Sequence, residues 1–129
     1  MFGIVIVAHG RLAVEYLAAV EHVVGKQAGI SVVAIHADHN RADKTSEISA
    51  AADAVDTGSG VVLVTDMFGG SPSNLALPAC RGQNRRVIYG ANLPMLVKLA
   101  KCRKRPMSEA ITEAIAAGRK YLDCLPVET

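Results

Sequence analysis

Tryptophan is absent from the 129 residues, and aromatic side chains make up only 4%. Proteins that hold nucleic acid by stacking bases on rings need more than this, and the mixed charge of the chain argues the same way. Cysteine is scarce: Cys80, Cys102 and Cys124 are odd in number, widely spaced and form no CxxC pair. Neither a disulfide framework nor a zinc knuckle is indicated, and reduced thiols are expected. The longest apolar stretch, residues 2–8, is far below the roughly 20 residues of a membrane span. No basic segment or signal-like cleavage site follows Met1, so a cytoplasmic protein is expected. Two nucleotide signatures are also missing. Residues 61–66 look like a Walker B strand, but Gly25 and Lys26 are followed by Gln27 and no GxxxxGK[ST] exists; no GxGxxG occurs either. A nucleotide-driven phosphotransferase and a dinucleotide enzyme are both disfavoured.

What remains is a chain that is 50% hydrophobic and 20% charged, with 11 glycines and a net charge of +2. Its length fits one domain across residues 1–129, which hides about two thirds of the unfolded surface and needs no staples. Charge is uneven: residues 1–66 carry four Lys and Arg against eight Asp and Glu, and residues 67–129 carry ten against four. Residues 81–105 hold eight basic residues and no acidic one, which reads either as a local positive field or as an ordinary solvated face.

Residues 2–8, 30–36, 61–65 and 86–89 are short β-branched runs, mostly apolar throughout rather than alternating. They read as strands buried on both faces. Between them lie a helix over 12–24, with apolar residues 13, 16, 17, 20, 23 and 24 on one face, and an Ala-rich helix over 44–55. The alternation predicts an α/β fold, doubly wound, with a mostly parallel four-stranded sheet and helices on both faces. A third helix starts at Ser71 as N-cap and Pro72, with Pro78 limiting or kinking it. A fourth spans 95–101 after Asn92 and Pro94, and a fifth spans 108–117, closed by Gly118. Residues 119–125 fit either a last strand or a frayed helix end.

Ligands of open parallel sheets gather beyond the carboxyl ends of the strands. His9 directly follows the first strand and Asp66 the third. In a 2-1-3-4 strand order the imidazole and the carboxylate come within reach. A carboxylate accepting from one ring N–H fixes the tautomer, turns the other nitrogen outward as a nucleophile and stabilises positive charge on the ring. Gly69, Gly70, Ser71, Pro72 and Ser73 supply the complement: backbone N–H groups that approach an anion, leading into a helix whose start carries partial positive charge. Either half alone has a plainer reading, a structural histidine or a tight turn with a cap. Together they point to a phosphoryl acceptor at His9, oriented by Asp66, with Gly69, Gly70, Ser71 and Ser73 around the phosphate. His36, Asp38 and His39 match no zinc spacing, and Asp38 or Asn40 reads better as a helix cap. His22 reads as a surface or boundary residue. Cys80 beside Arg81 has a possible lowered thiol pKa, but a small buried helix residue is the better reading.

Three segments in order, GIVIVAHG at 3–10, VLVTDMFGGSPSN at 62–74 and GANLPML at 90–96, resemble the mannose-family enzyme IIA domain of the bacterial phosphoenolpyruvate:sugar phosphotransferase system. The likeness covers almost the whole chain. It implies that His9 accepts a phosphoryl group on Nε2 from the phosphohistidine of HPr, with Nδ1 facing Asp66, and passes it to an enzyme IIB partner. No IIB segment follows residue 129, so a separate IIB protein is expected. The resemblance also implies a homodimer whose C-terminal strand pairs with the other subunit, the role residues 119–125 would take. The phosphotransfer subunit serving dihydroxyacetone kinase is similar, but the intact GGSPSN favours the mannose type. The expected protein is a histidine phosphoryl-transfer component in sugar uptake that uses no metal, nucleotide or other cofactor and inserts in no membrane. Transfer between two histidines is nearly balanced in energy, so catalysis should rest on in-line positioning and charge stabilisation. The alternative is a regulatory phosphoprotein whose His9 state controls a protein partner without moving sugar.

Overall fold

The computed structural model describes residues 1–67 and 70–127. β1 (Gly3–His9), β2 (Ile30–Ile35), β3 (Val61–Thr65) and β4 (Arg85–Ile88) form one sheet in the order β2-β1-β3-β4. Every pairing is parallel. Parallel neighbours cannot be joined by hairpins, and the crossovers are helical: α1 (Leu12–Val24), α2 (Arg41–Val55) and α3 (Ser71–Ala76), with α4 (Leu93–Lys101) and α5 (Met107–Lys120) after the last strand. This is the α/β architecture expected from the mostly apolar runs.

Successive side chains of a strand point to opposite faces, and β1 therefore feeds two cores. Ile4, Ile6 and Ala8 join Val62, Val64 and Ile88 under α1, α4 and α5. Val5 and Val7 join Val33, Ile35, Val61 and Leu63 under α2 and α3. The connections leaving β1 and β3 thus depart to opposite faces, which opens a crevice between their carboxyl ends. β1 puts His9 there and β3 delivers Asp66 one residue beyond Thr65.

Several helix ends differ from expectation, each for a packing reason. The N-cap of α3 is Gly70 in extended backbone, so Ser71 is the first helical residue rather than the cap. Behind it Pro78 does restrict the helix, which tightens into a 3₁₀ turn at Leu77–Cys80. Gly118 does not close α5. It is buried inside the helix, and a Cβ there would lie 3.0 Å from the Met95 Cβ and 3.2 Å from the Asn92 Oδ1. The missing side chain lets α5 approach α4, and Asn92 both caps α4 through Met95 N–H at 3.0 Å and donates to the Gly118 carbonyl at 3.0 Å. Arg119 and Lys120 are consequently helical, and residues 122–127 are exposed outside any strand. Of the two caps weighed for α2, Asn40 is the one used: its side chain accepts from Asp43 N–H at 3.0 Å.

The basic stretch is dispersed by folding. Arg85 is buried and pairs with Asp53 at 2.7 Å and Asp56 at 3.2 Å. Arg103, also buried, donates to the carbonyls of Phe2, Ala28 and Gly29. Arg105 pairs with Glu109 and Glu113. Three of the eight basic residues of 81–105 are thus occupied by burial or ion pairs, because a run of one charge in sequence is split between core, helix face and turn.

Candidate active site

His9 stands where β1 leaves the sheet, and Gly10, at φ +56, turns the chain away at once into α1. The positive φ suits glycine, and the sharp turn leaves the imidazole at the rim. Asp66 approaches from β3. Its Oδ2 accepts from the His9 backbone N–H at 3.0 Å and lies 2.8 Å from the ring Nδ1. One carboxylate oxygen therefore fixes both the backbone and the ring of the same residue. The side chains are 51% and 11% exposed respectively, so the acid is covered while the imidazole faces solvent. With Nδ1 engaged, Nε2 is the nitrogen presented outward.

Burial alone pushes the Asp66 carboxyl upward, but the backbone N–H and ring of His9 outweigh it and hold it below the usual carboxylate value. An acid that stays ionised keeps Nδ1–H as the favoured ring proton position. The other carboxylate oxygen, Oδ1, is buried and has no hydrogen-bond partner among the described residues.

Gly70 reaches the same spot from the other side of the crevice: a Cβ on it would sit 3.6 Å from the His9 Cε1, the ring atom next to Nε2. The first bond within α3 is Asn74 N–H to the Gly70 carbonyl at 3.2 Å, which leaves the N–H groups of Ser71 and Ser73 ahead of the helical ladder. The Ser73 side chain is buried, and its hydroxyl donates to the Met67 carbonyl at 2.7 Å and lies 2.8 Å from the Thr65 hydroxyl. Of the residues expected around a phosphate, Gly70 lies beside the imidazole, Ser71 is exposed at the start of α3, Ser73 turns its hydroxyl inward, and Gly69 falls outside the described residues.

Two residues escaped the sequence reading. Tyr16 on α1 donates to the Ala91 carbonyl at 3.1 Å, and burial together with the nearby Asp66 charge raises its phenol above the ordinary value, so it remains a hydrogen donor. Thr65 is fully buried at the end of β3. The available signals were a lone hydroxyl closing an aliphatic strand and the one aromatic on α1. The remaining candidates lie apart. His22 is exposed on α1, and His39 is tied by Nδ1 to the His36 carbonyl in the turn before α2. Burial pushes the Cys80 thiol up rather than down, opposite to the lowered thiol pKa considered from its neighbour Arg81. Cys80, Cys102 and Cys124 are all free.

A family model described as the phosphotransferase-system fructose IIA component, EIIA-man, matches residues 3–116. The chain belongs to the EIIA-man family. The mannose-specific EIIAB component of the phosphotransferase system from Escherichia coli K12 is 32% identical over 131 residues, a match covering 97% of this chain and 41% of that protein. The chain thus spans well under half the length of that relative. Two solved structures share the fold. The mannose/sorbose-specific IIA subunit from Enterococcus faecalis superposes with a TM-score of 0.87 at 22% identity, covering 99% of this chain and 97% of the other. The EIIA component from Streptococcus agalactiae gives 0.85 at 21% identity, over 96% and 97% of the two chains. Membership of this family supports a phosphoryl-transfer role in the phosphotransferase system. No helix among its described residues is long and apolar enough to cross a membrane.

Proposed function

We propose that His9 is the phosphoryl-accepting residue, taking the group from phospho-HPr and passing it to an EIIB-type partner for sugar uptake. The observation that carries this reading is the 2.8 Å contact between Nδ1 and the covered Asp66 oxygen beneath a half-exposed ring. In the forward step the Nε2 lone pair forms the new P–N bond while the P–N bond of the donor histidine breaks, its electron pair returning to that ring. Asp66 holds the Nδ1 proton and balances the positive charge that gathers on the imidazole. Gly70 gives the phosphoryl group room beside Cε1, and the N–H groups of Ser71 and Ser73, with Gly69 in the same loop, receive its oxygens. The geometry calls on positioning and charge placement, which suits a transfer between chemically equal donors and acceptors.

Exposed Leu12 and Met67 flank this site, an apolar rim of the sort a protein donor needs around a charged centre. A homodimer fits the β4 edge of the sheet. β4 is an open edge, beside it runs a groove of about 350 Å³ lined by Val87, Ile111, Ile115 and Leu122, and Tyr121, Leu122, Leu125 and Val127 are 67–85% exposed. The C-terminal segment of a second copy would cover edge and groove together.

Incubation with phosphoenolpyruvate, enzyme I and HPr should place an acid-labile, base-stable label on the protein. His9→Ala should abolish it; label retained in that variant would assign the phosphoryl group elsewhere. Repeating the assay with candidate EIIB proteins identifies the acceptor as the one that removes the label.

A further inference from the structure

We infer that Thr65 and Ser73 are positioning residues, a buried hydroxyl clasp that sets Asp66 against His9. The inference rests on the phosphohistidine reading above and deepens it. The geometry fixes the direction of both bonds. A serine hydroxyl has one proton, and the 2.7 Å contact commits that of Ser73 to the Met67 carbonyl. The 2.8 Å contact between the hydroxyls must then be donated by Thr65. The result is a directed chain, Thr65 O–H to Ser73 Oγ and Ser73 O–H to Met67 O, whose members polarise one another away from water.

Its place in the chain gives it a function. Thr65 and Met67 are the two neighbours of Asp66, so the clasp grips the backbone on both sides of the carboxylate. The Thr65 carbonyl is gripped in turn by Ala91 N–H at 3.1 Å, and Ala91 by the Tyr16 hydroxyl. Among the described residues, the hydrogen bonds from the Asp66 side chain to other residues are the two contacts of Oδ2 with His9. A shift of the peptide units flanking Asp66 would therefore be read directly as a change in the Nδ1 contact. The same chain starts α3 in a fixed place, since Ser73 lies in its first turn. On this account the Ser73 hydroxyl never touches the phosphoryl group and acts through the carboxylate.

Thr65→Val keeps the shape of the side chain and removes the first donor; Ser73→Ala removes the link to Met67; Thr65→Ser keeps the hydroxyl. Nitrogen-15 spectra of the His9 ring report which nitrogen carries the proton, and single-turnover labelling from phospho-HPr gives the maximal rate and the donor KM. Expected are a parent held in the Nδ1–H form, a shift toward mixed tautomers in Thr65→Val and a larger one in Ser73→Ala. The maximal rate should fall about ten- to a hundredfold with KM unchanged, as for a small misplacement of a reacting group. Thr65→Ser should recover both signals. Parent-like tautomers in Thr65→Val and Ser73→Ala would overturn the clasp, as would a loss shared equally by Thr65→Ser. A rate loss in Ser73→Ala without a tautomer change would also overturn it, by making Ser73 a direct phosphate contact. Should Ser73→Ala fail to fold, the isosteric Thr65→Val decides. An unlabelled parent protein would instead reject the phosphohistidine reading, while the ring spectra still test the clasp.

Discussion

At the scale of single residues, the site depends on one carboxylate oxygen serving two donors of His9. Asp66→Asn keeps the size of the side chain but presents either an amide oxygen without full charge or an N–H that repels Nδ1–H. Labelling of His9 should slow roughly a hundredfold, the low end of what a positioned proton-handling group contributes, with the circular-dichroism spectrum unchanged. Unaltered kinetics would detach Asp66 from the chemistry. The pH dependence follows with its sign. The folded Asp66 carboxyl lies below its ordinary 3.8, so its contribution to stability is complete above that value and is lost as pH falls through the folded one. Melting temperature should drop on acidification below about pH 4, and more shallowly in Asp66→Asn. His9 and Asp66 were both legible in the sequence because strand ends are readable and polar residues directly after apolar strands stand out. Thr65 and Tyr16 were not, since a hydroxyl's meaning depends on a partner brought near only by folding.

Among the elements, strands were easier to read than helix ends. β3 spans Val61–Thr65 as the apolar run requires, because a strand buried on both faces has no freedom in its composition. The fate of α5 was hidden because Gly118 serves a close approach and not a stop, a difference that lies in what faces it. Its Cβ position is already crowded by Met95 and Asn92. Gly118→Val should push α5 away from α4 and cost about 2 kcal/mol in urea unfolding, in the range of overpacked interiors. Asn92→Ala should cost about 1 kcal/mol for the lost cap of α4 alone, and more if the Gly118 carbonyl then goes unpaired.

Across the whole molecule, the basic run of residues 81–105 shows how a sequence total misleads. Charge in sequence says nothing of depth, and Arg103 is among the most enclosed charged side chains, bonded to backbone carbonyls just before β1 and β2. It ties the end of α4 to the rim of the sheet opposite the histidine. Burial lowers its pKa, yet guanidinium remains charged. Arg103→Met should leave those carbonyls unsatisfied and cost about 3 kcal/mol, read as a lower melting temperature. Because the change lies at the far end of β1, phosphoryl acceptance by the molecules that remain folded should be unaltered. The central place of β1 has a further consequence. It is paired on both sides with segments distant in sequence, Ile30–Ile35 and Val61–Thr65, so no local fluctuation can release it without opening both cores. The imidazole is thus mounted on one of the two central strands, where amide protons are expected to exchange with solvent late, while the turns and helix starts around it lie on connections that can move without opening the sheet.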